Sequence, residues 1–222
     1  MTVGIERVHA LLTATSGDEK HDPAAHSTLD VLWVLYDRIL RHDPADPRSE
    51  DRDRFLLSKG HGPIGLYAIL ADRGFFSASE LRRFLEWDGI LGGHPDRQRV
   101  PGIEISTGSL GHGFPMAIGV ALALRAKGSD RRVFVLIGDG ESNEGSVWES
   151  ALLAGDIGLA NLTAILVDNA SSTRDLGDAA AKFAAFGWSA TTVDGRDHEA
   201  IFEALAAADE SRPTMIVAKI RE

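Results

Sequence analysis

The 222-residue chain contains no cysteine. That excludes disulfides, thiolate nucleophiles and cysteine-ligated zinc sites together, and says nothing of the redox compartment. Long hydrophobic runs are missing as well. The longest mainly apolar stretch, Gly113 to Leu124, falls short of the ~18 residues that a membrane-spanning helix needs. Glu6 and Arg7 interrupt the N-terminal region, so no basic head precedes an apolar core and no export signal is expected. No membrane association and a cytoplasmic location are therefore expected. Cations are also in short supply: 23 Lys and Arg against 33 Asp and Glu leave a formal charge of −10. Such a balance disfavours nucleic acid, whose backbone is gripped by clustered cations. It still permits one small phosphorylated ligand held by a metal and backbone amides.

What is present is an ordinary globular composition, 44% hydrophobic and 25% charged, with 23 glycines. Continuous apolar runs at 133–137, 162–167 and 214–218, and a weaker one at 190–193, predict strands covered on both faces, as in a parallel sheet. Helical stretches at 144–157, 178–186 and 197–208 alternate with them, the signature of a βαβ succession. Upstream, the spacing predicts a helix over 27–40 with Ser27 as its N-cap, a short strand at 54–57, and helices at 64–71, 77–85 and 111–127. Polar, proline-containing segments at 42–52 and 92–102 read as loops, and no linker divides the chain, so residues 1–222 are expected to form one domain.

The strand at 133–137 runs into Gly138-Asp139-Gly140, and the strand at 162–167 into Asp168-Asn169-Ala170-Ser171. Ligands of open parallel sheets bind outside the carboxyl ends of strands. A carboxylate between two glycines at such an end suits a hard divalent cation such as magnesium, which brings phosphates with it. Adjacent parallel strands would set Asp139 beside Asn169, thirty residues away. Alone, Gly-Asp-Gly reads more readily as a turn, and His61 and His94 as loop-capping histidines. A zinc site of His61, His94 and His112 is permitted by ligand type, but spacings of 33 and 18 residues match no compact metal motif.

These residues are ordered as in a known family. Gly138-Asp139-Gly140, Glu144, Gly145, Glu149 and Asn169 resemble the thiamine-diphosphate motif of transketolases. Upstream, Asp53 to Gly62, ending in Ser58-Lys59-Gly60-His61-Gly62, resembles the family's strand with its Gly-His pair. Gly93-His94-Pro95 and Val100 to Glu104 resemble its Gly-His-Pro loop, and Ser106-Thr107-Gly108-Ser109-Leu110-Gly111 its Thr-Gly-x-Leu-Gly turn. The resemblance implies a three-layer, doubly wound, mostly parallel α/β fold. It implies magnesium, or calcium or manganese in its place, on Asp139, Asn169 and the Ser171 carbonyl, bridging to the cofactor diphosphate. Gly108, Gly138 and Gly140 would admit backbone amides to that diphosphate, with Leu110 near the cofactor rings. His61 and His94 would line the channel to the reactive carbon, orient donor hydroxyls and move protons. Glu144 would link two cofactor sites across a subunit interface.

Some positions depart from the family's pattern. Its N-terminal Ser-Gly-His-Pro-Gly is not intact, and His21 is the residue that falls where its histidine would be. His112 replaces the usual glutamine after Leu-Gly, and residues 170–174 are more polar than usual. The resemblance covers the diphosphate-binding half of a transketolase. It implies a separately encoded pyrimidine-binding chain, a heterotetramer, and no activity without that partner. The expected reaction is transfer of a two-carbon ketol unit from a ketose donor. Two other readings are compatible with the residues: a thiamine-dependent 2-oxo acid or ketol transferase that loads a lipoyl or carrier-protein thiol, and a non-catalytic regulatory subunit.

Overall fold

The computed structural model describes residues 3–15 and 22–220. Five strands form one sheet in the order β1-β2-β3-β5-β4. They are β1 (Arg54–Leu57), β2 (Val133–Gly138), β3 (Leu162–Asp168), β4 (Ser189–Asp194) and β5 (Thr214–Lys219). Every pairing is parallel, so the sheet is more uniform than the sequence predicts. Its three central strands are buried almost throughout, which is why they read as unbroken apolar runs.

Side chains alternate across a strand, and here the alternation divides two cores. Phe55, Leu57, Phe134, Leu136, Ile165, Val167 and Ile216 face one layer. That layer contains α1 (Val3–Thr13), α2 (Asp22–Val34), α3 (Ile64–Asp72) and α7 (His198–Ala206). Leu56, Val135, Ile137, Ala164, Leu166, Met215 and Val217 face the other, made by α4 (Gly113–Ala126), α5 (Gly145–Asp156) and α6 (Ala179–Ala185). The architecture is therefore the three-layer, doubly wound one. In the second core Phe183 packs against Phe114, Trp148 and Trp188, with ring centroids 6.4, 5.2 and 5.5 Å away.

Several boundaries differ from expectation for local reasons. The helix expected from Ser27 begins at Asp22, so Ser27 is not its cap: it lies buried inside α2. That helix ends in a π-helical turn, Leu35–Ile39. The helix expected at 77–85 shrinks to a six-residue 3₁₀ turn, Ala78–Arg83, where the Ser77 hydroxyl accepts from Ser79 N. Helix α4 starts at Gly113 because Gly111 adopts a positive φ of 76°. Helix α1 has no counterpart in the sequence reading; its Ile5, Val8 and Leu12 cover the outer side of the first core.

The chain leaves β1 toward α3 in one layer and leaves β2 toward α5 in the other. Connections that part in this way open a crevice between neighbouring strand ends. No helix among the described residues is long and apolar enough to cross a membrane.

Phe183 is fully buried, and Phe183→Ala would leave a cavity among three aromatic rings. The expected loss is about 3–5 kcal/mol of stability, read as a lower urea midpoint at unchanged slope.

Candidate functional site

The crevice holds a cavity of about 280 Å³, lined by Lys59, His61, Leu110, Gly138, Asp139, Gly140, Glu141, Val167, Asn169 and Ser171. Seven of the residues singled out from sequence thus meet in one place, at the carboxyl ends of β1, β2 and β3. His94 and Gly108 adjoin it rather than line it. Among the described residues, Glu144 lies outside the lining and is exposed. His112 is exposed too, its Nδ1 3.0 Å from the Leu110 carbonyl. His21 lies outside the described residues.

Asp139 is buried where β2 ends, and its own amide donates to the Val167 carbonyl of β3. Its Oδ1 accepts from Gly140 N at 2.8 Å and from the Ser171 hydroxyl at 2.7 Å; its Oδ2 accepts from Ser172 N at 2.9 Å. The loop after β3 is thereby folded onto the carboxylate. Asn169 accepts at Oδ1 from Ser171 N and donates from Nδ2 to the Ser27 hydroxyl of α2, both at 3.3 Å. A partner in α2 fixes the amide so that its oxygen faces Ser171, beside Asp139.

The donor set tests the expected metal. Among the described residues no group of three His, Asp or Glu could hold an ion. One carboxylate, one amide oxygen and serine oxygens form a sparse, hard, all-oxygen set. That fits magnesium, which binds through one or two carboxylates and completes its octahedron with water and phosphate oxygens. Beyond its chain neighbours, a Cβ on Gly140 would meet no protein atom within 4 Å, so backbone at that point of the cavity is open to a ligand.

The two histidines are brought together by their loops. Their ring centroids are 4.9 Å apart, edge to face. The Tyr67 hydroxyl of α3 donates to the carbonyls of Gly92 and His94, each at 3.0 Å, and anchors the second loop. Thr107 Oγ1 donates to the Leu57 carbonyl at 2.8 Å. The glycines beside these contacts keep the loops in close approach. A Cβ on Gly60 would lie 2.7 Å from Gly108 N, and one on Gly108 would lie 3.0 Å from the His94 ring.

Two charged residues in the lining have no role that the sequence alone assigns. Glu141 follows Gly-Asp-Gly and is 2% exposed. Its Oε1 accepts from the Ser58 hydroxyl at 2.5 Å and from Gly111 N at 2.9 Å; Oε2 faces Gly138 N at 3.4 Å. One carboxylate therefore ties the end of β1, the turn before α4 and the end of β2. Burial raises its pKa, partly offset by the Ser58 hydroxyl, the two amides and Lys59. Lys59 is buried alongside; burial lowers its pKa to about 8, opposed by Asp139 and Glu141. A readable signal existed for both: an ionisable residue adjoining a strand end that is otherwise buried needs a partner.

Glu141→Ala would orphan the Gly111 amide and the Ser58 hydroxyl, and about 2–4 kcal/mol of stability should be lost. Glu141→Gln should retain most of it. Because the folded carboxyl titrates above its ordinary 4.5, the folded state binds its proton more tightly than the unfolded state. Its contribution is full below that ordinary value and falls as pH rises through the raised one. The stability difference between wild type and the Gln variant, measured by denaturation from about pH 4 to about pH 8, should move in that direction.

Comparison with known proteins agrees with this arrangement. The family model described as "Transketolase, thiamine diphosphate binding domain" matches residues 2–221. A protein of Rhodococcoides fascians named "Ferredoxin fas2" is 46% identical over 213 residues, 95% of this chain and 70% of that protein. The present chain has no cysteine thiolate with which to hold an iron–sulfur cluster. "6-deoxy-6-sulfo-D-fructose transketolase subunit SqwG" of a Clostridium species is 37% identical over 206 residues, 89% of this chain and 75% of that one. A mutant transketolase of Pichia stipitis, solved with fructose-6-phosphate, superposes with a TM-score of 0.88 at 27% identity. That match covers 99% of this chain but 36% of the solved one, so the chain spans about a third of that enzyme's length. The chain belongs to the transketolase family, as its thiamine-diphosphate-binding N-terminal domain.

Proposed function

We propose that the cavity binds thiamine diphosphate together with magnesium, for which calcium or manganese can substitute. In partnership with a separately encoded pyrimidine-binding chain, the protein then transfers a two-carbon ketol unit from a ketose donor to an aldehyde or other acceptor. Residues 1–222 act as one domain, in a cytoplasmic heterotetramer. The observation that carries this reading is the meeting of Asp139, Asn169 and Ser171 in one oxygen-lined cavity, with the His61–His94 pair beside it. The Clostridium relative, whose name makes it one subunit of a transketolase and 75% of which this chain covers, supports the split assembly.

Each residue has a definite task. Asp139, Asn169 and Ser171 hold the cation, Asp139 and Asn169 through side-chain oxygens and Ser171 through its carbonyl. Gly108, Gly138 and Gly140 keep the backbone clear for the diphosphate, while Leu110 supports the cofactor rings. His61 and His94 orient donor hydroxyls and accept or return protons, for which imidazole is suited near neutral pH. They favour hydroxylated ketol donors over simple 2-oxo acids. His21, which stands where the family's N-terminal histidine would be, is assigned the same task from the sequence alone. Glu144, exposed at the start of α5, reaches toward the partner chain. Thiamine diphosphate, when bound, supplies the nucleophilic carbon and the electron sink for cleavage beside a carbonyl.

Mixed with its partner chain, the protein should bind thiamine diphosphate in calorimetry only when magnesium is present. Asp139→Ala should weaken that binding by about 100-fold. His94→Ala should leave it within a few-fold but lower kcat/KM for a ketose donor by about 10²–10⁴-fold. Equal cofactor binding by wild type and Asp139→Ala, or turnover with 2-oxo acids alone, would overturn the reading.

A further inference from the structure

A second cavity, of about 490 Å³, lies at the other end of β1 and shares no residue with the first. Arg54 begins that strand, whereas Lys59 and His61 follow its end. Five arginines line the pocket, Arg48, Arg52, Arg54, Arg97 and Arg99, against two glutamates, Glu50 and Glu104. A surplus of three positive charges in one concavity is out of character for a chain whose net charge is −10.

The positive charge is only partly answered from within. Glu104 pairs with Arg52 and lies 3.7 Å from Arg54. Arg54 also donates to the backbone carbonyls of Glu50, Arg52 and Asp53, and Arg99 to that of Gly89. The nearby carboxylate of Asp53 is taken by Arg41 and the Arg132 amide, and that of Asp96 by Gln98 N and Ser106. Arg48 and Arg97 have no side-chain hydrogen bond or ion pair among the described residues. The buried Nε of Arg52 likewise has no partner among them. Burial, followed by the charge of Arg52, pushes the Arg54 guanidinium below its ordinary pKa, opposed by Glu104, Asp53 and Glu50.

We infer that this pocket binds the phosphate group of a small phosphorylated molecule, at a site separate from the cofactor cavity. Guanidinium forks match the terminal oxygens of a phosphate. The dianion offsets more of the surplus than a single carboxylate, a role that Glu104 already fills for Arg52. A concavity lined by one sign of charge also concentrates such a ligand from solution. Occupancy has a route to the first cavity. The segment from 94 to 108 carries His94 and Gly108 at its base, where Thr107 N donates to the Pro95 carbonyl at 3.4 Å. The same segment carries Arg97, Arg99 and Glu104 in the pocket wall.

The test is calorimetric titration of inorganic phosphate into the chain without divalent metal, at ionic strength matched with sodium chloride. Citrate serves as the carboxylate comparison. Wild type and Asp139→Asn should bind phosphate equally and more tightly than citrate. The double variant Arg48→Ala/Arg97→Ala should bind it roughly tenfold or more weakly. Both substituted side chains are exposed, so the double variant should melt with the wild type in the absence of phosphate. No phosphate binding above the chloride background would overturn the inference. So would full retention in the arginine variant, loss in Asp139→Asn, or preference for citrate. Because Asp139→Asn alters the proposed cation site and touches no residue of the arginine pocket, failure here and failure of the cofactor reading give different results.

Discussion

The Glu141 carboxylate is the contact on which the arrangement of the cavity depends. A buried acid is costly unless it is hydrogen-bonded, and here each neighbour that satisfies it belongs to a different part of the chain. Ser58 follows β1, Gly111 closes the turn before α4, and Gly138 ends β2. The two helical layers share no core side chains because the sheet stands between them. Glu141 joins their loops where the sheet stops, and the cavity opens at that junction.

Two carboxylates that are nearly adjacent in sequence thus divide structure from chemistry. Glu141 is turned inward and saturated by protein donors. Asp139 is held by donors from its own turn and from the loop after β3, and faces the cavity together with Asn169. Lys59 lies between the strand ends with its charge set against both acids. For a diphosphate this is a neighbourhood of mixed sign. The cation proposed for Asp139 would, together with the buried Lys59 ammonium, make it acceptable to an anion in an otherwise acidic protein.

The strands and the central pairing were legible because they rest on strong local signals. Continuous apolar runs located β2, β3 and β5, and parallel adjacency then placed Asp139 beside Asn169. The errors lie where tertiary contacts outweigh local preference. Ser27 looks like a cap by residue type, yet α2 extends upstream of it and the hydroxyl is used by Asn169, which no local pattern records. The 77–85 segment has the spacing of a helix but little core to cover, with Leu81 the buried residue of its 3₁₀ turn, and it shortens accordingly. That Glu141 needs a partner could be read from its place beside a buried strand end, but which partners it has could not, because they are scattered over some eighty residues of sequence. The Arg48 to Glu104 pocket was equally hidden, since two separate polar loops must fold against β1 before their charges meet.

The unbroken apolar strands have a consequence for how the sheet finds its alignment. In a strand with one wet face, a slip of one residue would expose its hydrophobic side and be rejected. Here both faces are dry, so a slipped β2 would still present apolar side chains to each core. Hydrophobicity alone therefore penalises misalignment weakly, and the discriminating marks lie at the strand ends. In the native pairing Gly138 sits opposite Val167, and the next residue, Asp139, donates its amide to that same Val167. Shifting β2 by one place would break this bond and carry Asp139 away from the serines that close over it. The residues that make the cavity chemically useful also act as the ruler that sets the sheet.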